Sequence, residues 1–168
     1  DFDDLIILPI KIFEKKPEIL LNVQLRWRYI MVDEFQDTSL LQYKLVSMIA
    51  SKYRNIAVVG DDDQSIYSWR GANYQNIVNF EKDFPERKEY RLERNYRSSG
   101  NILSAANALI IHNKERKDKK LWTESRDGAS ISIKRHTTGE EEAMWIATEI
   151  RKLMRENHYC LNDFGVLV

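Results

Sequence analysis

The sequence predicts an α/β fold with a mainly parallel sheet flanked by helices. Two short apolar runs, Tyr29–Val32 and Asn55–Gly60, have the composition of buried strands, and acidic residues follow each of them at once. Segments with apolar residues at helical spacing lie before, between and after these runs. Strands that alternate with helices are typical of parallel sheets, whose ligand sites lie beyond the carboxyl ends of the strands.

Five helices are predicted from apolar residues that recur every three or four positions. They cover residues 3–21, 40–52, 76–84, 101–113 and 139–157. Pro9 and Pro17 interrupt the first helix, because proline lacks the backbone donor that a helix interior needs. Ser98 or Ser99 can cap the fourth. Further strands are predicted at residues 89–92, 131–134 and 165–168, and a mixed-charge connector at 114–120.

Composition allows one ordinary domain or two small lobes and gives no general argument for nucleic acid. The 168 residues carry 26 basic and 26 acidic side chains, so any nucleic-acid site must be local. The single cysteine, Cys160, excludes an internal disulfide, and the histidines lack cysteine partners at zinc-ligand spacing. With neither a membrane-length apolar run nor a signal peptide, the predicted location is the cytoplasm.

The first strand ends in two adjacent carboxylates, Asp33 and Glu34, at the expected ligand-binding edge of the sheet. Such a pair suits nucleotide hydrolysis. The first can hold a Mg²⁺ ion that bridges phosphate oxygens, and the second can orient or deprotonate the attacking water. The alternative is a strand followed by an acidic helix start, which Asp37–Ser39 also suits.

The second strand runs into Asp61–Asp63 and Gln64. The three acids do not begin an EF-hand loop, because Ile66 stands where that loop requires glycine. The amide of Gln64 can donate to a phosphate oxygen and accept from a water, which would allow it to sense a γ-phosphate. The alternative is an ordinary polar turn residue.

Tyr67, Trp69 and Arg70 form a second candidate site. In an extended segment the two aromatic side chains would point to one side and, with the neighbouring guanidinium, form a platform for unpaired bases. The alternative is that both aromatics belong to the core. The connector at 114–120 could touch a phosphate backbone, but its interleaved acids favour a solvated loop.

A third candidate site is Asn95–Ser98, at a predicted strand-to-helix turn. Arg97 could project into a cleft and neutralise charge on a transferring phosphoryl group. Tyr96 could stack on a purine ring. The alternative is a helix cap followed by a solvated arginine.

Together, three segments resemble consecutive motifs of superfamily 1 helicases: Val32–Thr38, Val59–Ala72 and Leu92–Ser98. The resemblance is to the UvrD/Rep/PcrA group of 3′-to-5′ DNA helicases, and in particular to its PcrA-like members. Asp1–Leu5 and Lys120–Glu124 are also similar to that group, so the likeness extends over nearly the whole chain.

The resemblance implies parts of two RecA-like (P-loop NTPase) lobes. Residues 1–92 would be the C-terminal part of the first motor lobe, and residues 93–168 the N-terminal part of the second. The implied activity is ATP hydrolysis, with Mg²⁺, coupled to movement on single-stranded DNA and unwinding at duplex junctions. The implied parent is a monomer that acts with repair or replication proteins and not at a membrane.

The resemblance also implies a role for each nucleotide-site residue. Asp33 would hold Mg²⁺, Glu34 would activate water, and Gln64 would couple the γ-phosphate to the DNA site. Tyr96 would stack against adenine, and Arg97 would reach the γ-phosphate from the second lobe.

For the DNA site, the resemblance implies that Tyr67 and Trp69 lie along single-stranded DNA. Trp69 would stack on a base. Arg70 would lie nearby, as a DNA contact or a contact between motifs.

We expect the chain to be a fragment of a longer protein, because it lacks an initiator methionine and ends in a strand-like pattern, 165–168. None of its glycines is followed by lysine, so it holds no phosphate-cradling loop. We therefore expect no ATP hydrolysis or unwinding from the chain alone. The rival interpretation is a non-catalytic nucleic-acid-binding or interaction module, and a lesser one is a RecB-like helicase–nuclease subunit.

Overall fold

The computed structural model describes residues 1–113 and 119–167. The chain divides into two compact units, residues 1–127 and 128–168. Most of the predicted connector at 114–120 lies outside the described residues. Among those that are described, no helix combines the length and apolar character needed to cross a bilayer.

The first predicted helix is two helices, α1 (Asp4–Lys15) and α2 (Pro17–Arg26). The break falls at Lys16, whose φ of −135° and ψ of 76° are not helical. Proline suits the first position of α2, where its missing N–H would have no partner in any case. Pro9 lies inside α1 and does not end it, so the predicted interruption is confirmed at Pro17 and wrong at Pro9.

Helix α3 (Leu40–Ala50) starts where the sequence predicts because its first turn is capped by side chains on both sides. The Ser39 hydroxyl accepts a hydrogen bond from the Gln42 amide at 3.2 Å. The Gln42 side-chain oxygen accepts one from the Ser39 amide at 2.8 Å. This reciprocal arrangement satisfies two donors that a helix N-terminus otherwise leaves unpaired.

Strands β1 (Ile30–Val32) and β2 (Ile56–Val58) pair in parallel, with Ile30 opposite Ile56 and Val32 opposite Val58. Pairing continues past both strands, since Val59 donates to the Val32 carbonyl at 2.8 Å and Phe35 donates to the Val59 carbonyl at 2.9 Å. The predicted parallel sheet is therefore confirmed. Its two described strands end at the same edge, which places the residues after them side by side.

The core lies directly beneath that edge. Phe35 is 5.9 Å from Tyr43 of α3 and 5.7 Å from Phe80 of α4 (Gln75–Asp83), both as ring centroids in edge-on contact. The rings of Phe80 and Phe84 stack at 4.8 Å. Phe35 packs in this aromatic cluster, so the backbone immediately after Glu34 is held in place by the core.

Asn76 joins α4 to the turn before α3 and is fully buried, with 0 % of its surface exposed. Its amide donates to the Thr38 carbonyl at 2.8 Å and to the Thr38 hydroxyl at 3.1 Å. We expect Asn76→Ala to lower the free energy of unfolding by about 1–3 kcal/mol, because it removes both hydrogen bonds that the buried side chain makes to Thr38. Urea denaturation of the chain, followed by tryptophan fluorescence, measures the loss.

Asn79→Ala is the matched control, since Asn79 lies one turn later on α4 and accepts only a 3.4 Å bond from Gln75. It should change stability by less than about 0.5 kcal/mol. Equal losses in the two variants would mean that the buried amide has no special role.

The last two helices are α5 (Gly100–Ile110) and α6 (Gly139–Asn157). The predicted limits of α6 are confirmed, and the Thr138 hydroxyl caps it by accepting from the Glu141 amide at 3.2 Å. Helix α5 ends three residues earlier than predicted. Ser99 stands at its N-cap without a side-chain capping bond.

The strands predicted at 89–92 and 131–134 are wrong, and residues 165–167 are not a strand either. Val168, the last residue of that third prediction, lies outside the described part of the chain. A strand is stable only when paired, and neither alternation nor an apolar run supplies a partner. The nearest feature is a single parallel bridge between Arg94 and Trp122.

Candidate functional site

The candidate site begins where β1 ends, at Asp33 and Glu34, both exposed at the sheet edge. Glu34 adopts a left-handed backbone conformation, with φ of 49° and ψ of 44°. Its amide donates to the Asp33 carboxylate at 2.9 Å. A non-glycine residue held in this region costs about 1–3 kcal/mol and persists only where the surroundings enforce it. Here the next residue, Phe35, is buried in the core and holds the Glu34 backbone in this conformation.

Gln36 connects the two strand ends. Its side chain is buried, with 1 % exposed, and its amide nitrogen donates to the Glu34 carboxylate at 2.8 Å. Its side-chain oxygen accepts a 2.9 Å bond from the backbone of Asp61, which follows β2. A side chain on Gly60 would meet that same oxygen at 2.8 Å, so the glycine allows the close approach of the two strand ends.

Gln64 lies in the turn that follows β2. The turn is a short 3-10 helix, Asp62–Gln64, and Asp61 caps it by accepting from the Asp63 amide at 3.0 Å. The Gln64 side chain donates to the other Asp61 oxygen at 2.7 Å and is exposed. A chain of hydrogen bonds therefore runs from Glu34 through Gln36 and Asp61 to Gln64.

Lys119 pairs with all three carboxylates of the acidic turn, Asp61–Asp63. Its ammonium contacts Asp61, lies 2.5 Å from an Asp62 oxygen and lies 3.2 Å from an Asp63 oxygen. In the described part of the chain, these three acids are the one group of three or more potential cation ligands whose atoms lie within 4.8 Å of one another. The lysine ammonium already supplies the positive charge there.

Burial and pairing act in opposite directions on the pKa values of this cluster. Burial alone raises the pKa of Asp61, but hydrogen bonds from Lys119 and Gln64 outweigh it, so the pKa lies below its ordinary value. Burial lowers the pKa of Lys119, but its bonds to Asp61 and Asp62 outweigh burial and hold the pKa above its ordinary value. The ion pair is thus fully charged at neutral pH.

Tyr67, Trp69 and Arg70 form one exposed cluster. The two ring centroids are 6.2 Å apart, and the Arg70 guanidinium lies 4.9 Å from the tyrosine ring and 4.5 Å from the tryptophan ring. Trp69 is 72 % exposed, so it does not belong to the core. Cation–π contact holds the guanidinium beside both rings.

The expectation of an extended segment here is wrong. Residues Ser68–Arg70 form a 3-10 turn, which Gly71 ends with a φ of 89°, a value that favours glycine. Ala72 then pairs with Ser39 at the start of α3. The turn, and not the two-residue period of a strand, brings the aromatic side chains together.

Tyr96 and Arg97 have local contacts. The Asn95 carboxamide oxygen accepts from the Arg97 amide at 2.9 Å and from the Ser98 amide at 2.7 Å, which shapes this turn. Tyr96 is 78 % exposed, with the Arg94 guanidinium 4.9 Å from its ring. Within the described residues, neither side chain makes a hydrogen bond or ring contact with Glu34 or Gln64.

Sequence reasoning missed Gln36 and Lys119. Gln36 lies between Phe35 and Asp37 and could have been noticed as a polar residue beside an apolar anchor, but its partner lies 25 positions away. Lys119 belongs to the predicted connector and pairs with acids 56 to 58 positions earlier. No local pattern predicts a contact over such a distance.

The chain belongs to the UvrD/REP helicase family. The sequence model of the UvrD/REP helicase N-terminal domain matches residues 1–85, and that of the UvrD-like helicase C-terminal domain matches residues 90–168. The proposed grouping with UvrD-like helicases is therefore confirmed.

Curated relatives agree. The chain is 51 % identical over 167 residues to an ATP-dependent DNA helicase PcrA of Leuconostoc citreum, with 99 % of this chain and 22 % of the relative covered. It is 50 % identical over 168 residues to a DNA helicase II of Rickettsia typhi, with 100 % and 26 % covered. A PcrA of Staphylococcus aureus (strain Mu50) is 52 % identical over 167 residues, with 99 % and 23 % covered. The chain thus spans about a quarter of the length of these relatives.

Proposed function

We propose that this chain is part of an ATP-dependent DNA helicase that moves 3′-to-5′ along single-stranded DNA. One observation carries the proposal: Gln64 is linked by hydrogen bonds to the strand-end carboxylates and lies five residues before the exposed Trp69. A nucleotide-sensing group and a base-stacking group therefore share one short loop. A small displacement of that loop would reach both sites at once.

In this proposal, Asp33 holds Mg²⁺ and Glu34 activates the attacking water. One Asp33 oxygen accepts from the Glu34 amide, and the exposed carboxylate fits a metal that takes few protein ligands and keeps its waters. When bound, Mg²⁺ would supply positive charge that offsets the negative charge of the phosphate groups. The Glu34 carboxylate would accept the proton from water, and Gln64 would contact the γ-phosphate.

Tyr67 and Trp69 would lie along single-stranded DNA, with Trp69 stacked on a base and Arg70 beside it. The exposure of the tryptophan ring and the adjacent guanidinium support this role. Such stacking tolerates any sequence, because every base presents a flat face. Tyr67, Trp69 and Arg70 would also bind the single strand next to a duplex junction. Repair or replication proteins would act at the same junctions.

Tyr96 and Arg97 would act from a second RecA-like lobe, residues 93–168, against a first lobe that includes residues 1–92. Tyr96 would stack on adenine and Arg97 would reach the γ-phosphate when the cleft between lobes closes around ATP. Their exposure and local contacts leave both side chains available for such a movement. Cycles of closure would advance the DNA.

The test is ATP turnover by a longer protein that contains this chain, measured with and without single-stranded DNA, beside the isolated 168-residue chain. We expect turnover that single-stranded DNA stimulates in the longer protein and none in the isolated chain, which carries no phosphate-cradling loop. A longer protein that binds DNA without hydrolysing ATP would instead support the non-catalytic module.

A further inference from the structure

We infer that Gln36 is a positioning residue that holds the Glu34 carboxylate for water activation and ties it to the loop that carries Gln64. The inference rests on the proposed function and names a residue that the roles above leave out. Gln36 touches neither water nor nucleotide in this role. It acts through the residues on either side of it.

The orientation of the Gln36 amide is set by its partners. The Asp61 backbone N–H can only donate, so the side-chain oxygen of Gln36 must face it, at 2.9 Å. The NH₂ group must then point the other way, where the Glu34 carboxylate accepts at 2.8 Å. A second, longer contact of the same nitrogen reaches an Asp37 oxygen at 3.4 Å.

Burial makes this bridge rigid. Gln36 is 1 % exposed. The preceding residue, Phe35, is buried in the core, and Gly60 lies close to the Gln36 backbone and side-chain oxygen. Glu34, by contrast, has an exposed side chain. An exposed glutamate samples several rotamers, and a fixed donor at 2.8 Å favours the one that keeps this contact and leaves the second oxygen without a bond to Gln36.

The bridge also provides a path between the two candidate sites. Gln36 binds the Asp61 backbone, and the Asp61 side chain binds Gln64. A displacement of Gln64 by a γ-phosphate would therefore act on Glu34 through two shared hydrogen-bonding residues. The Glu34 carboxylate would therefore be oriented toward the attacking water only when the ends of β1 and β2 keep this arrangement.

Gln36→Met and Gln36→Glu in the longer protein test the inference. Methionine keeps the volume and removes both bonds, whereas glutamate keeps the acceptor for Asp61 and replaces the donor to Glu34 with a negative charge. We expect kcat for DNA-stimulated ATP hydrolysis to fall about 10- to 100-fold in both, as small misplacements of a catalytic group do. KM for ATP and affinity for single-stranded DNA should stay within about twofold.

Gln24→Met is the matched control. Gln24 is also a buried glutamine, and its amide donates to the Met48 carbonyl at 2.8 Å and the Ser51 hydroxyl at 3.0 Å, between α2 and α3. The substitution removes two hydrogen bonds of a buried side chain, away from the strand ends. It should lower thermal stability and leave kcat unchanged.

A double-mutant cycle separates positioning from general stability. In a Glu34→Gln background, Gln36→Met should lower the residual single-turnover rate no further, because the group that it positions is already gone. A loss of kcat that is the same in both backgrounds, or one that Gln24→Met reproduces, would overturn the inference. If Glu34→Gln itself kept full turnover, the proposed function would fail. If only Gln36→Met kept it, the inference alone would fail.

Discussion

Glu34→Gln should lower ATP turnover of the longer protein by about 10²- to 10⁴-fold while ATP binding is kept. The substitution preserves size, and the new amide oxygen can still accept the bond that Gln36 donates to Glu34 at 2.8 Å. What it removes is the ability to take a proton from water. Single-turnover hydrolysis measures the loss, and binding of a non-hydrolysable ATP analogue measures the retained affinity.

Glu18→Gln makes the same chemical change at an exposed position on α2 and should leave turnover unchanged. If Glu34→Gln instead hydrolysed ATP at the rate of the unaltered protein, Glu34 would have no part in the reaction. A parallel loss of nucleotide affinity would mean that the residue binds ATP and does not activate water.

Local signals predicted the elements that frame this site. The β1 and β2 runs and both ends of α6 follow from apolar composition and spacing, and the start of α3 follows from the helix-start residues Asp37–Ser39. These are interactions between residues three or four positions apart, so the sequence displays both partners together. The parallel pairing followed from the alternation of strands and helices.

Contacts between distant residues account for what the sequence did not predict. A strand at 89–92 needs a pairing partner, and the described residues supply only the bridge from Arg94 to Trp122. The cation at the acidic turn comes from Lys119, and the link from Glu34 to Gln64 passes through a buried glutamine. The residue types at the site were predictable, but the bonds that connect them were not.

Tyr67 and Trp69 were grouped correctly from the sequence but for the wrong structural reason. Tyr67 and Trp69 were expected to share one side of an extended segment, whereas a 3-10 turn ending at Gly71 brings their rings together. The left-handed φ of that glycine is compatible with many loop conformations, so its presence alone does not specify the turn. The proposed stacking role depends on the exposure of the rings and not on the strand period.

Trp69→Ala should weaken binding of single-stranded DNA about 5- to 140-fold, which corresponds to about 1–3 kcal/mol for one stacked base. The ring is 72 % exposed and would become buried when it stacks on a base. The substitution also removes one of the two rings that hold the Arg70 guanidinium, at 4.5 Å. Fluorescence anisotropy with a labelled oligothymidine and the longer protein measures the affinity.

The salt dependence of DNA binding distinguishes base stacking by Trp69 from a charge interaction with phosphate. Because Trp69 carries no charge, Trp69→Ala should lower affinity equally at all salt concentrations and leave the slope of log Kd against log salt unchanged. Trp69→Phe should keep most of the affinity, since a smaller aromatic face can still stack. Trp27→Ala removes a half-exposed tryptophan elsewhere and should have no effect. A loss confined to low salt would show that the aromatic cluster acts through Arg70 on phosphate, and an unchanged affinity would place the DNA path away from this turn.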